Sequence, residues 1–404
     1  MATGPGGRGA AWAAITVLVL GLGGCADDGD DSATEGKGGK PPGDAPRAAG
    51  EAPGRAPGRG KAKLIGDGST ALTGPQPNQP DIDPLTPGRE PPQFVVFSWD
   101  GAGEDGNELF SRFRELGKEY DAHMTYFLSG LYLLPESQRM RYHPPGRSPG
   151  ASDIGYLRDE NIAATLEQLR AAWLDGSEIG THFNGHFCGP TGVASWSADD
   201  WRSEIEQAKW MVRNWRTTTG FGDLEPLPFD YDEELVGGRA PCLEGQENLL
   251  RAAADLGFRY DSSGNGLQVW PDKREGLWDI PLQSVPVPGR AFETLSMDYN
   301  FMVNDAGEAE MREGLLAAFD RAYKGNRAPL IIGNHFNDWN GGAYMNAVKD
   351  VIKELCPRDD VHCVSFRQLV DWLDAQDPAM LDRLRTLGVG EMPREGWVAF
   401  LSGT

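Results

Sequence analysis

From Gln93 onward the chain alternates short runs of β-branched and aromatic residues with longer stretches whose apolar positions recur at helical spacing. The strand-like runs are "QFVVFSWD" from Gln93, "HMTYFLSG" from His123, "EIGTHF" from Glu178, "LVGGRAP" from Leu235, "FRYDSS" from Phe258, "LWDIPLQSV" from Leu277, "LIIGNHF" from Leu330 and "VHCVSF" from Val361. Between most of them, amphipathic stretches predict helices over 107–120, 158–174, 197–215, 246–256, 305–323 and 342–355. Ser197 followed by Asp200 reads as a capping box opening one of these. Repeated strand and helix units predict an α/β fold with a parallel sheet. About seven of them predict a distorted (β/α) barrel, with chemistry at the C-terminal ends of the strands. The alternative, a flat doubly wound sheet, calls for a glycine-rich phosphate loop after the first strand. "DGAGEDG" has neither G-x-G-x-x-G spacing nor a P-loop lysine.

Before Gln93 the pattern changes. Ala13 to Leu22 is a short apolar run that leads into Leu22-Gly23-Gly24-Cys25. Too short for a comfortable span, it predicts a lipoprotein signal peptide over residues 1–24, with Cys25 as the lipidated first residue of the mature chain. One lipidated end holds a chain to a membrane without spanning it. The expected location is therefore extracytoplasmic, lipid-anchored to a bacterial cell membrane. Residues 25–92 are rich in Gly, Pro, Asp and Lys and nearly free of aromatics, which predicts a disordered tether. Such a tether reaches on the order of 45 Å at roughly 5–6 Å × √n. The folded domain is expected over residues 93–404.

Composition narrows the partners. A formal charge of −22, from 38 basic and 60 acidic residues, opposes nucleic acid, which needs a basic face. Besides Cys25 there are four cysteines, an even number that predicts disulfides in an exported protein. Cys356 and Cys363 are close enough to pair locally, which leaves Cys188 with Cys242; of the three possible pairings this is the one expected.

The candidate chemistry follows the strands. Asp100 ends the first, His182 and His186 follow the "EIGT" run, Arg239 ends "LVGGR", and His335 ends "LIIGNH". Three of the six histidines thus occupy strand ends. "THFNGHF" places two imidazoles at a strand end with a tight loop. Two neutral imidazoles and one carboxylate make a catalytic zinc set with a position open for water. That candidate metal set is Asp100, His182 and His186. Cys188 is set aside as a ligand, because a thiolate would close the open position.

The combination of Asp100, "EIGTHFNGH", "GGRAPCLEGQENLLRAAADLGFRYDSS", "LWDIPL" and "PLIIGNHFNDW" resembles the polysaccharide deacetylases of carbohydrate esterase family four, the segment around Arg239 especially their chitin deacetylase-like members. The resemblance covers most of residues 93–373, with the motifs in the family's order. It implies a distorted (β/α) barrel and metal-dependent removal of N-acetyl groups from an amino-sugar polymer such as peptidoglycan or chitin. In that scheme His182 and His186 bind the metal, His335 is general acid to the departing amine, and Arg239 orients the catalytic carboxylate. The backbone N–H of Cys242 joins the metal in stabilising the oxyanion.

The chain departs from the family at one strand end. The family shows two adjacent aspartates, the first a general base and the second a metal ligand, where this chain has Ser98-Trp99-Asp100-Gly101. A gapless match makes Asp100 the base and leaves Gly101 at the ligand position. A shift by one makes Asp100 the ligand and Trp99 the lost base. Glu104 and Asp105 are candidates to replace the missing carboxylate, as is a water. Cys242 stands at a position that is usually aromatic, and Asp279 is a candidate partner for His335. Trp99 and Trp339 are the candidate sugar-stacking residues, with Trp278 and Tyr299 as further possibilities, and "YHPPGRSPGASDIGY" from Tyr142 is a candidate cleft rim. The expected function is a deacetylase; the rival is a carbohydrate-binding protein on the same scaffold with impaired catalysis.

Overall fold

The computed structural model describes residues 62–402. Cys25, the signal segment 1–24 and the tether as far as residue 61 lie outside the described residues. Seven parallel strands form the barrel: β1 Gln93–Asp100, β2 Thr125–Leu128, β3 Glu178–Thr181, β4 Gly237–Gly238, β5 Tyr260–Asp261, β6 Leu277–Asp279 and β7 Leu330–His335. Their order in the sheet is β7-β1-β2-β3-β4-β5-β6, and an antiparallel strand, Asp272–Arg274, borders β6. Val361–Cys363 pairs in parallel with the start of β1.

The two ends of the sheet meet through a smaller one, Leu282–Pro286 with Glu293–Leu295. Just beyond it, Met297 bridges Gly333 in parallel, and the Gly333 N–H donates to the Ser296 carbonyl at 2.8 Å. The barrel is therefore distorted at its closure, where one bridge does the work of a ladder.

All eight residues of β1 are buried, as expected for a central strand covered on both faces. Alternation sorts them. Val95, Phe97 and Trp99 pack outward with the helices, while Phe94 and Val96 belong to the interior cluster. Ser98 and Asp100 share the interior face. β4 consists of two glycines because the Tyr260 ring lies where a Cβ on Gly237 would sit, 2.2 Å away.

The helices fall where the periodicity puts them, at Leu109–Glu119, Asp159–Leu174, Ala198–Arg213, Gln246–Asp255, Glu308–Tyr323 and Trp339–Leu355. The Ser197–Asp200 capping box is present.

The expectation of a disordered tether as far as residue 92 is corrected by the structure. Residues 62–92 are packed on the domain. Lys63–Ile65 and Thr70–Leu72 form a hairpin whose Ser69, Thr70 and Ala71 are fully buried. The Ser69 carbonyl accepts from Trp215 Nε1 at 2.8 Å, and the Ala71 N–H donates to the Leu227 carbonyl at 2.9 Å. Gln76, Asn78 and Gln79 then donate to the carbonyls of Trp173, Ser177, Leu174 and Gly176, at and just beyond the end of the Asp159–Leu174 helix. A segment poor in apolar residues is held by hydrogen bonds that another element needs.

Candidate active site

The strand ends named from the sequence converge. Pairing of β7 with β1 sets His335 directly beside Asp100. Asp100 lies in the barrel mouth, and its Oδ1 accepts from Arg239 Nη1 at 2.8 Å. Arg239 is fully buried: Nη1 also donates to Ser98 Oγ, while Nε and Nη2 donate to the carbonyl and hydroxyl of Ser262. Its guanidinium stands over the rings of Phe127 and Phe366. A buried cation with these partners fixes the carboxylate in place. Burial works against an ionised Asp100, but Arg239, then His182 and His335, outweigh it and hold the carboxyl below its ordinary range.

Arg239 serves a second residue through its main chain. His182 Nδ1 lies 2.8 Å from the Arg239 carbonyl oxygen, so Nδ1 carries the proton and Nε2 keeps its lone pair. Burial pushes the His182 pKa down to about 3, and it lowers that of His186 too, leaving two neutral imidazoles with ring centroids 5.0 Å apart. The loop that carries them is tight: Phe183 and His186 have φ of +61° and +55°. It is held from below, where the Gly185 N–H donates to Tyr142 Oη at 3.1 Å and Tyr142 donates to Glu204 at 2.8 Å. Asn184 Nδ2 donates to the Glu204 carbonyl oxygen at 2.9 Å. Burial raises the Glu204 carboxyl to about 7.

His335 takes its orientation from Asp298, whose Oδ1 lies 2.8 Å from Nδ1 and whose Oδ2 accepts the His335 N–H at 2.7 Å. Burial disfavours the imidazolium, but Asp298 and then Asp100 outweigh it and raise the pKa above the ordinary histidine value. Asp279 is corrected as the partner of His335, for it binds Gln246 and Arg274 instead.

Asp100, His182, His186 and His335 line one cavity of about 250 Å³, together with Gly101, Gly103, Glu104, Asp105, Ser129, Tyr132, Ile154, Leu157, Phe336 and Asn337. Ile154 and Leu157 come from the expected rim and its continuation, and the Asp153 N–H donates to the Gly185 carbonyl at 2.8 Å.

Other expectations change. Trp99 is not a sugar platform: it is fully buried on the outer face of β1, stacked on Phe336 at 4.7 Å. Trp278 is buried too, with its indole N–H on Asp374. Trp339 and the exposed Tyr299 do flank His335, with ring centroids 5.3 and 6.4 Å away. Alternation turns Trp99 outward and Asp100 inward, where Asp100 is the carboxylate held by Arg239, and Gly101 follows it without a side chain. The expected metal set of Asp100, His182 and His186 is not among the groups of the described residues whose ligand atoms lie mutually within 4.8 Å. Among the described residues, the one trio of His, Cys, Asp or Glu with ligand atoms mutually within 4.8 Å is His186, Cys188 and Cys242.

The two sulfurs of that trio are bonded to each other, since Cys188 pairs with Cys242 and Cys356 with Cys363, both as expected. The first disulfide ties the histidine loop to the loop that follows Arg239. Glu104 and Asp105, the candidates for a second carboxylate, both line the cavity with their carboxyls engaged by main-chain N–H groups. Glu104 accepts from the Ser111 N–H and Asp105 from the Asn107 N–H, so both acids organise the start of the next helix.

A divalent cation fits the donors that remain. His182 and His186 are neutral, at least one has its outward nitrogen free, and both face the cavity; imidazole suits zinc and its first-row neighbours.

No protein-family model and no curated protein matches the sequence. Among solved structures, the chain is similar to a Mycobacterium smegmatis protein assigned as a polysaccharide deacetylase, at 18% identity and TM-score 0.44 over 73% of this chain and 96% of that one. It is also similar to a family 4 acetyl xylan esterase from Clostridium thermocellum in complex with a cobalt ion, at 15% identity and TM-score 0.39 over 72% and 96%. A third similar structure is the peptidoglycan deacetylase PdaC from Bacillus subtilis, at 10% identity and TM-score 0.38 over 70% and 92%.

Proposed function

We propose that this protein is a metal-dependent deacetylase that removes N-acetyl groups from an amino-sugar polymer at the cell envelope, with a divalent cation, zinc foremost, held by His182 and His186. The observation that carries the reading is the placing of two oriented pairs, Asp100 with Arg239 and His335 with Asp298, side by side on β1 and β7 and facing two neutral imidazoles across one cavity.

Amide hydrolysis needs an activated water, a partner for the charge that develops on the carbonyl oxygen, and a proton for the departing nitrogen. The cation, when bound, supplies Lewis acidity toward the carbonyl and makes water more acidic. Asp100, kept ionised and oriented by Arg239, accepts the proton of the attacking water. His335, with Nδ1 committed to Asp298, presents Nε2 to the departing amine and protonates it. The backbone N–H of Cys242 is assigned to the developing oxyanion. Tyr299 and Trp339 offer ring faces to a sugar beside His335. A lipid on Cys25 would hold this chemistry against its substrate at the membrane.

Acetate release by the full chain, supplied with zinc and either acetylated chito-oligosaccharides or peptidoglycan, tests the reading, with His335→Ala as the blank. Release above that blank is expected. The bare Gly101 position favours the rival, a carbohydrate-binding protein on this barrel. That rival predicts saturable glycan binding, unchanged by His335→Ala, and no acetate.

A further inference from the structure

The loop after β1 carries glycine at 101 and 103, and both face the ring of Tyr132. A Cβ on Gly103 would lie 2.8 Å from Tyr132 Cδ2, closer than any side chain tolerates, so the ring occupies space that only glycine leaves. A Cβ on Gly101 would point at the same residue, 3.7 Å from its hydroxyl oxygen and 4.0 Å from Ser129 Oγ. Ser129 is fully buried, and its hydroxyl has no hydrogen-bond partner among the described residues. Both side chains line the cavity that His182, His186, Asp100 and His335 share. The direction in which a carboxylate on residue 101 would extend is therefore bracketed by two hydroxyls, one of them buried without a partner, which is costly unless something polar meets it.

Resting on the proposed metal-dependent function, we infer that Tyr132 takes the place of the missing carboxylate: its hydroxyl is the oxygen donor toward a cation held by His182 and His186, with Ser129 Oγ as a polar neighbour. A phenol oxygen is a hard donor, as is a carboxylate oxygen, and suits the same class of divalent ion. Being neutral, it leaves the site with one negative charge fewer, so affinity is lower and the cation's Lewis acidity is less quenched.

Zinc affinity of the full chain, read by competition with a chromophoric chelator, tests this without reference to turnover. Four proteins form a cycle: the native chain, Tyr132→Phe, Gly101→Asp and the double variant, with His182→Ala marking the site. Phenylalanine keeps the ring against Gly103, so the single variant isolates the hydroxyl. Aspartate is among the residues that tolerate the left-handed conformation Gly101 adopts, φ +68°.

Tyr132→Phe is expected to weaken zinc binding roughly tenfold or more. In the Gly101→Asp background the same change is expected to cost less than about twofold, because a carboxylate then holds the position. Zinc binding that is lost in His182→Ala but unchanged in Tyr132→Phe overturns the role of Tyr132 and leaves the metal-dependent function standing. An equal loss in both backgrounds also overturns it. Absence of any His182-dependent zinc binding in the native chain overturns the function and the inference together. Should Gly101→Asp fail to fold, the single Tyr132→Phe comparison decides.

Discussion

Asp298 grips His335 at two points, accepting the main-chain N–H through Oδ2 and facing Nδ1 through Oδ1, at 2.7 and 2.8 Å. The first contact places the strand end and the second fixes the ring's tautomer. Because Asp298 raises the pKa of His335 against the effect of burial, the ring keeps its proton to higher pH. If His335 is the general acid, the alkaline limb of the kcat profile reports its loss of that proton. Asp298→Asn is expected to move that limb to lower pH and to reduce kcat by about 10²-fold or more, since the amide can offer Nδ1 the wrong partner. A pH–rate series on the purified variant checks both effects. A uniform loss with an unmoved limb would assign Asp298 to structure alone.

Asp100 and Arg239 make the most deeply buried ion pair of the site, with side-chain exposures of 3% and 0%. Removing one member leaves the other charged and uncompensated. Arg239→Met is expected to destabilise the fold by about 3–5 kcal/mol, measured by denaturant unfolding. Asp100→Asn keeps an acceptor for the guanidinium and removes the proton-accepting carboxylate. The prediction is that it retains bound zinc and loses turnover. Loss of the metal instead would mean that Asp100 is a ligand after all.

How much of this the sequence revealed depends on the kind of force involved. Strand ends were legible because β1, β2, β3 and β7 are buried throughout or nearly so, and the apolar runs of β1 and β7 stop on the polar residues Asp100 and His335. The outward position of Trp99 follows the same alternation: once Asp100 faces inward its neighbour turns out, which removes Trp99 from the sugar-stacking candidates. Asp298 was hidden because it lies 37 residues before His335 and reaches it only through tertiary packing. Tyr132 was hidden for the same reason, since its link to Gly101 and Gly103 is one of shape. The segment 62–92 misled because composition measures apolar burial, whereas Gln76, Asn78 and Gln79 bind by satisfying carbonyls at a helix end.

Glu204 supports the histidine loop through Tyr142, and burial raises its carboxyl from an ordinary 4.5 to about 7. Between those values the folded chain binds a proton that the unfolded chain has lost. The contribution is therefore fully present below about pH 4.5, declines as pH rises, and is gone above about pH 7. The whole step is on the order of 3 kcal/mol. Glu204→Gln cannot titrate, so its denaturation free energy is expected to vary less between pH 5 and 8 than that of the native chain. Parallel denaturant curves at these two pH values would show the flattening; an unchanged slope would assign the pH dependence to other groups.

The two disulfides differ in reach and place, and that makes each a control for the other. Cys188 and Cys242 are 54 residues apart, which by chain entropy stabilises the fold by about 4 kcal/mol; Cys356 and Cys363 are seven apart, worth about 2 kcal/mol. Only the first touches the site, since Cys188 Sγ lies 3.7 Å from His186 Nδ1 and the bridge joins the loops that carry His186 and Arg239. Replacing Cys188 and Cys242 together by serine should therefore lower both stability and zinc affinity. The same replacement at Cys356 and Cys363 should lower stability by less and leave zinc affinity alone. If both pairs change affinity equally, the loss follows from a looser fold; if only the first does, the disulfide sets the position of His186, a loop residue at φ +55° whose Nδ1 lies beside Cys188 Sγ.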